Sequence, residues 1–283
     1  MKSGVGLSED FIKNMGSSEH IQGEPGDYIG SDGRLHCGKC HEGKEYYLKP
    51  LNRYVPSLCL CGRMERDAFE RRERESREMA MVQELAIYNL MDAKLKNATF
   101  ANAEQREDSE GAYTMAKNYV AKFDEIYSGK DDMKGLLLYG PTGTGKSYLA
   151  ACIANALMAK RVPVLFTSVI RLTNADPDSV RDVIGQMSRA RLLVLDDLGA
   201  ERGTDFKLEQ TFNIIETRMN SRKPLIVTTN MSLEQMTQTG DIRYNRIWKR
   251  VRAMCYPMRM NSASWRHDKS VEAIERFKKL TES

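Results

Sequence analysis

An α/β fold built on a central parallel sheet, preceded by a small cysteine-bearing unit and a charged helix, is what this chain predicts. Three observations carry that expectation. Apolar strand-like runs alternate with helical patterns from residue 135 onward, the first run breaks into a glycine-rich turn, and four of the six cysteines crowd between positions 37 and 61.

Length and composition set the frame. At 283 residues the chain accommodates two units, one of full domain size. No apolar run approaches the roughly 20 residues that span a bilayer, and nothing apolar follows Met1-Lys2-Ser3-Gly4 as a secretory signal would. A cytoplasmic protein without membrane contact is expected. The net charge of +4 is too small to diagnose a nucleic-acid partner, so that question rests on where basic residues cluster.

Residues 1–33 are rich in Gly, Ser and acids without a sustained period, and are expected to be flexible. Cys37-x-x-Cys40 follows, then Cys59-x-Cys61, within a segment 34–62 too poor in apolar residues to fold around a core of its own. Zinc held by Cys37, Cys40, Cys59 and Cys61 supplies the missing cohesion, since four soft ligands on tight turns satisfy its tetrahedral preference. His36 and His41 flank the first pair and offer a replacement for one cysteine; half-buried thiols without metal are the plainer alternative.

Residues 63–95 read as a charged helix and linker. Asp67/Arg71, Glu70/Arg74 and Glu73/Arg77 stand four apart with the acid first, which suits a solvated helix. A partner-docking arm is the other reading, because Val82, Leu85, Ala86 and Leu90 form an apolar stripe. The pattern lapses into a polar linker around 97–111, and the large unit is taken as 96–283.

Within it, Leu136, Leu137 and Leu138 run into Gly140-Pro141-Thr142-Gly143-Thr144-Gly145-Lys146-Ser147-Tyr148, and helical spacing resumes with Leu149 and Ile153. This is strand, phosphate loop and helix: the glycines let backbone N–H groups curl inward, and the helix adds the positive end of its dipole. Triphosphate oxygens of ATP fit such a nest, with Lys146 reaching the β/γ-phosphates and Ser147 on Mg²⁺. Residues 161–167 form a second strand, and 191–196 a third that ends in Asp196 and Asp197. Carboxylates delivered to the carboxyl edge of a parallel sheet sit where ligands bind, so Asp196 is expected on Mg²⁺ and Asp197 on the attacking water. A helix at 206–221 precedes the strand 224–229, which ends at Asn230, an amide suited to sensing a γ-phosphate or merely to a turn. Arg243, Arg246, Lys249, Arg250, Arg252, Arg259, Arg266 and Lys269 then form a basic cluster; contact with a neighbour's triphosphate, with DNA phosphates, or with solvent alone all fit the charge pattern. Cys152 and Cys255 fall in apolar settings and read as core thiols.

The order of phosphate loop, Leu-Asp-Asp-Leu-Gly, Thr-Thr-Asn, arginine-rich helix, Met-Cys-Tyr-Pro and Ser-Trp-Arg resembles the AAA+ helicase loaders of bacterial and phage replication, the DnaC type, and the similar IstB transposition helpers. The likeness spans roughly residues 95–267, from Lys96-Asn97-Ala98-Thr99-Phe100, which looks like the adenine-side entry motif. It implies an ATP-driven switch that binds a hexameric replicative helicase through the N-terminal module, holds single-stranded DNA, and self-associates into a ring or spiral. Gly140 to Ser147 would then be Walker A, Asp196 and Asp197 Walker B, Asn230 sensor 1, Arg250 the arginine finger with Arg246 its competitor, and Arg266 sensor 2. The alternative implied by the same engine is a transposase helper. Two departures stand out: Asp197 replaces the more usual Glu, which implies slow hydrolysis stimulated by DNA or a partner, and the 17 residues after Arg266 are too few for the usual helical lid.

Overall fold

The structure, a computed structural model, describes residues 19–103, 109–174, 177–199, 205–238, 240–261 and 265–281. The chain divides into two compact units, Met1–Ser76 and Arg77–Ser283.

In the first unit β1 (Tyr28–Ile29) pairs antiparallel with β2 (Leu35–His36), and β3 (Glu45–Leu48) with β4 (Arg53–Pro56). Helix α1 (Leu60–Tyr88) begins here. Flexibility was expected up to residue 33, but β1 forms there because polar links hold it: Asp27 receives N–H donors from Glu24 and Gly38, and Lys44 Nζ meets its carboxylate at 2.7 Å. Glu45 is fully buried and accepts the Leu35 and Ile21 amides, at 2.8 and 3.0 Å. A buried carboxylate is tolerated only with such donors, so Glu45 organises the chain around it. Residues 1–18 lie outside the described residues.

The second unit carries α2 (Ala93–Lys96), α3 (Glu110–Ala121), α4 (Phe123–Ser128), β5 (Gly135–Tyr139), α5 (Lys146–Ala159), β6 (Val164–Ser168), α6 (Val169–Asn174), α7 (Pro177–Arg189), β7 (Leu192–Asp196), α8 (Asp205–Asn220), β8 (Leu225–Thr229), α9 (Leu233–Thr237), α10 (Ile242–Met254), β9 (Cys255–Arg259) and α11 (Trp265–Thr281). Its five strands are parallel in the order β6-β7-β8-β5-β9. Successive strand residues face opposite layers: Leu136, Leu138, Val194 and Ile226 pack with α3 and α5, whereas Leu137, Leu193, Leu195 and Val227 pack with α8 and α10. Covered on both faces, the strands need apolar residues at every position, which is why their runs are continuous. Helix α10 buries Ile247, Trp248, Val251 and Met254, the spacing of one helical face, and leaves its arginines on the other.

The boundary differs from the expected one. It lies at Ser76/Arg77 within α1, because Leu85 is 1% exposed in the core of the second unit, with Met81 and Tyr88 packed beside it. Ala86 of the anticipated stripe is exposed, whereas Leu85 is buried, so one side of this half of the helix packs against the core. The stretch expected as linker is also fastened: Leu90 N bonds Phe166 O at 2.9 Å and Ala98 is fully buried. Helix α11 forms as the C-terminal pattern predicts, yet Ile274 and Phe277 are exposed.

Candidate functional site

The loop after β5 takes its shape from glycines. Gly140, Gly143 and Gly145 have φ of 140°, 87° and 89°, the region that disfavours side chains. A Cβ on Gly140 would sit 2.2 Å from Met260 O, so glycine is obligatory where the loop passes β9. Lys146 opens α5 and folds over the loop, its ammonium donating to Gly140 O at 2.9 Å and Pro141 O at 2.7 Å. Thr144 Oγ1 donates to Pro141 O at 3.0 Å and tightens the turn.

Across the sheet rim, β7 and β8 deliver the polar groups. Thr228 Oγ1 donates to Asp196 Oδ1 at 2.6 Å and accepts the Asp197 amide at 2.8 Å, so one hydroxyl fixes both acids. Asp197 adopts φ 59°, and Asn230 Nδ2 donates to its Oδ1 at 2.9 Å. Thr142, Gly143, Gly145, Lys146, Ser147, Asp196, Asp197, Thr228 and Asn230 all line one cavity of about 510 Å³. The phosphate-loop residues, both acids and Asn230 were expected from the sequence; Thr228 was not, because Thr229 stands beside it and only the strand's pleat decides which hydroxyl meets the acids.

A strap forms a further part of the cavity wall. Asp92 caps α2 by accepting Leu95 N at 2.8 Å, and Asp92, Ala93, Lys94, Leu95, Asn97 and Asn102 line the wall. Tyr148 hydroxyl donates to Asn102 Oδ1 at 2.9 Å. Burial holds the Tyr113 phenol above its ordinary value, so the ring behind the wall stays neutral. A volume of this size, lined by a glycine nest, a lysine and an apolar-backed strap, fits a nucleoside triphosphate. Ser147 and Asp196 offer hard oxygen donors of the kind that Mg²⁺ takes.

Arg250 is not among the residues that line this cavity. Its guanidinium reaches Glu216 at 3.1 Å and stacks 4.4 Å from the Phe212 ring centroid, on α8, with Arg246 5.4 Å from the same ring. The backbone of Arg266 stands in the first turn of α11, and its side chain lies outside the described residues.

In the first unit the sulfurs of Cys37, Cys40 and Cys59 lie within 4.8 Å of one another, and the Cys61 thiol interacts with Cys40 and Cys37. None of the four is in a disulfide. Amides of Cys61 and Glu42 aimed at Cys40 bring its thiol down to about 6, and the Cys40 side chain in turn pushes that of Cys61 up to about 11. His36 is engaged through both nitrogens, by Asp32 and His41 O, whereas His41 meets the Tyr28 hydroxyl through Nδ1. The clustered cysteines are a donor set of the kind zinc takes.

The sequence profile of IstB-like ATP binding proteins matches residues 67–273. The replicative helicase loader DnaC of Escherichia coli (strain K12) is 28% identical over 176 residues, 59% of this chain and 68% of that protein. The replicative helicase loader DnaI of Bacillus subtilis (strain 168) is 24% identical over 252 residues, 82% of this chain and 78% of that one. A crystal structure of DnaI superposes with a TM-score of 0.51 at 25% identity, covering 61% of this chain and 96% of its own. A putative primosome component from Streptococcus pyogenes serotype M3 shares the fold at a TM-score of 0.50 and 24% identity, over 62% of this chain and 92% of that one. The five-stranded parallel sheet with its phosphate loop is thus an AAA+ fold. Among the described residues, no helix is long and apolar enough to cross a membrane.

Proposed function

We propose, for a chain that belongs to the family of IstB-like ATP binding proteins, that ATP binding and hydrolysis drive the loading of a replicative DNA helicase onto single-stranded DNA. The observation that carries the reading is the convergence of Lys146, Ser147, Asp196, Asp197, Thr228 and Asn230 on one cavity. Similarity to two replicative helicase loaders supports the biological role.

In this reading, Gly140 to Ser147 cradle the phosphates, and Lys146 exchanges its two loop carbonyls for β/γ-oxygens. Mg²⁺, when bound, neutralises charge building on the phosphates. Ser147 and Asp196 would hold it, the latter through the metal's water shell. Thr228 keeps the Asp196 carboxylate in one rotamer and pins the turn at Asp197. Asp197 orients the attacking water and takes its proton, while Asn230 bridges that acid and the γ-phosphate. Arg250, held on α8 by Glu216 and Phe212, acts on the triphosphate of an adjoining copy, and Arg266 is the sensor 2 candidate. Zinc on Cys37, Cys40, Cys59 and Cys61 shapes the N-terminal module that meets the helicase, and self-association into a ring or spiral brings the arginines to neighbouring sites.

Phosphate release measured with and without single-stranded DNA tests the engine. Turnover stimulated by DNA is expected, with Lys146→Ala lower by about 100-fold or more. No turnover in the wild type, or full turnover in that variant, overturns the ATPase reading. Transfer of the replicative helicase from the same cells onto circular single-stranded DNA, dependent on ATP, tests the loading reading; capture of a transposase in its place points to a transposition helper.

A further inference from the structure

Helix α5 does more than end the phosphate loop. Nine residues after Lys146, on the same rod, Asn155 Nδ2 donates to three carbonyl oxygens of the strap: Leu95 O at 2.8 Å, Lys96 O at 3.2 Å and Ala98 O at 2.8 Å. Asn102 Nδ2 takes the Asn97 carbonyl at 2.8 Å, and its Oδ1 accepts the Tyr148 hydroxyl from the first turn of α5. Four consecutive carbonyls of the strap are thereby engaged by two asparagines. The strap bears Asp92, Ala93, Lys94, Leu95 and Asn97, which line the same cavity as the glycine nest. A helix is stiff along its axis, so two fastenings to one helix fix the separation between nest and wall.

We propose that Asn155, seconded by Tyr148, sets the strap at the distance that fits the nucleoside half of ATP, as a positioning residue acting through the strap. The inference rests on the reading that this cavity binds ATP. Asn155 confers length discrimination between the phosphate nest and the base; the nest itself owes nothing to it. Loss of its amide takes a donor from Lys96 O and Ala98 O, while Leu95 O keeps the Asn97 and Ala98 amides, and lets the wall relax away from the base.

Full-length wild type, Asn155→Ala and Tyr148→Phe are titrated with Mg-ATP and separately with inorganic tripolyphosphate, which engages the nest alone. Asn155→Ala is expected to weaken ATP about tenfold with tripolyphosphate unmoved, and Tyr148→Phe, which removes one hydroxyl, about threefold in the same sense. A merely structural role would weaken both ligands together, and that result overturns the inference. So does an Asn155→Ala protein that binds ATP as the wild type does, or unaltered ATP affinity in Tyr148→Phe together with a general loss in Asn155→Ala. Wild-type protein that binds neither ligand instead overturns the nucleotide reading on which the inference stands.

Discussion

In the unit Arg77–Ser283 the strand Leu225–Thr229 is buried along its whole length and Leu192 to Leu195 are inaccessible to solvent, whereas in Met1–Ser76 the buried apolar side chains among the described residues are Leu35, Cys37 and Cys59. The large unit is held by apolar burial between layers and can place its polar groups at the sheet rim, where they serve a ligand. The small unit has too little apolar surface for that, so its cohesion comes from a buried carboxylate and ion pairs, beside three clustered thiols that could hold a metal. The difference teaches that the two parts should fail under different insults, and each of the following outcomes would break or sharpen that contrast.

Metal removal is expected to act most strongly. Zinc contributes on the order of 10 kcal/mol to comparably small modules, so chelation should abolish the hairpins of the first unit while Mg-ATP binding by the second persists. Elemental analysis should find about one zinc per chain, and a metal-free protein with intact hairpins would remove the contrast.

Arg250→Ala comes next. Stimulated turnover should fall by about 10³-fold with ATP affinity kept, because the side chain bonds Glu216 rather than lining its own cavity. Lost ATP affinity would return Arg250 to its own subunit's pocket.

Arg218 measures the cohesion of the large unit. Almost fully buried, it makes five hydrogen bonds to four carbonyl oxygens, those of Met187, Ala190, Arg191 and Pro224. Arg218→Leu strands those acceptors and should lower stability by about 3 kcal/mol in urea unfolding, with the cysteine unit unaffected.

Acid provides the smallest effect. The ammonium of Lys44, with the amides of Glu24 and Gly38, holds the Asp27 carboxyl near 2. A carboxyl depressed on folding adds stability above its ordinary value near 4, and the gain is lost as pH falls from there towards 2. Wild type should therefore exceed Asp27→Asn in stability at pH 6, and the two should converge at low pH. A constant gap across that range would mean Asp27 acts through packing alone.

How legible all this is in the residues follows from the same contrast. The sheet of the large unit reads directly, because strands buried on both faces must be continuously apolar, and the loop reads because only glycines permit its φ angles. Asp196, Asp197 and Asn230 could be placed from their position at strand ends alone. Thr228, Asn155 and Arg218 could not: each is an ordinary helix or strand residue until the fold brings a distant acceptor within reach, at sequence separations of 32, 60 and 31 residues for Asp196, Leu95 and Met187. The division within α1 was hidden for a related reason. Charge pairing shows that a helix is solvated, but only the packing of Leu85 shows where solvation stops.

The left-handed backbone at Asp197 has a practical consequence. Most side chains are disfavoured at such an angle, yet asparagine tolerates it about as well as aspartate and matches its outline. On the proposed reading, Asp197→Asn should keep the turn while losing the proton acceptor, giving a stalled protein that retains its nucleotide long enough for its bound form to be imaged.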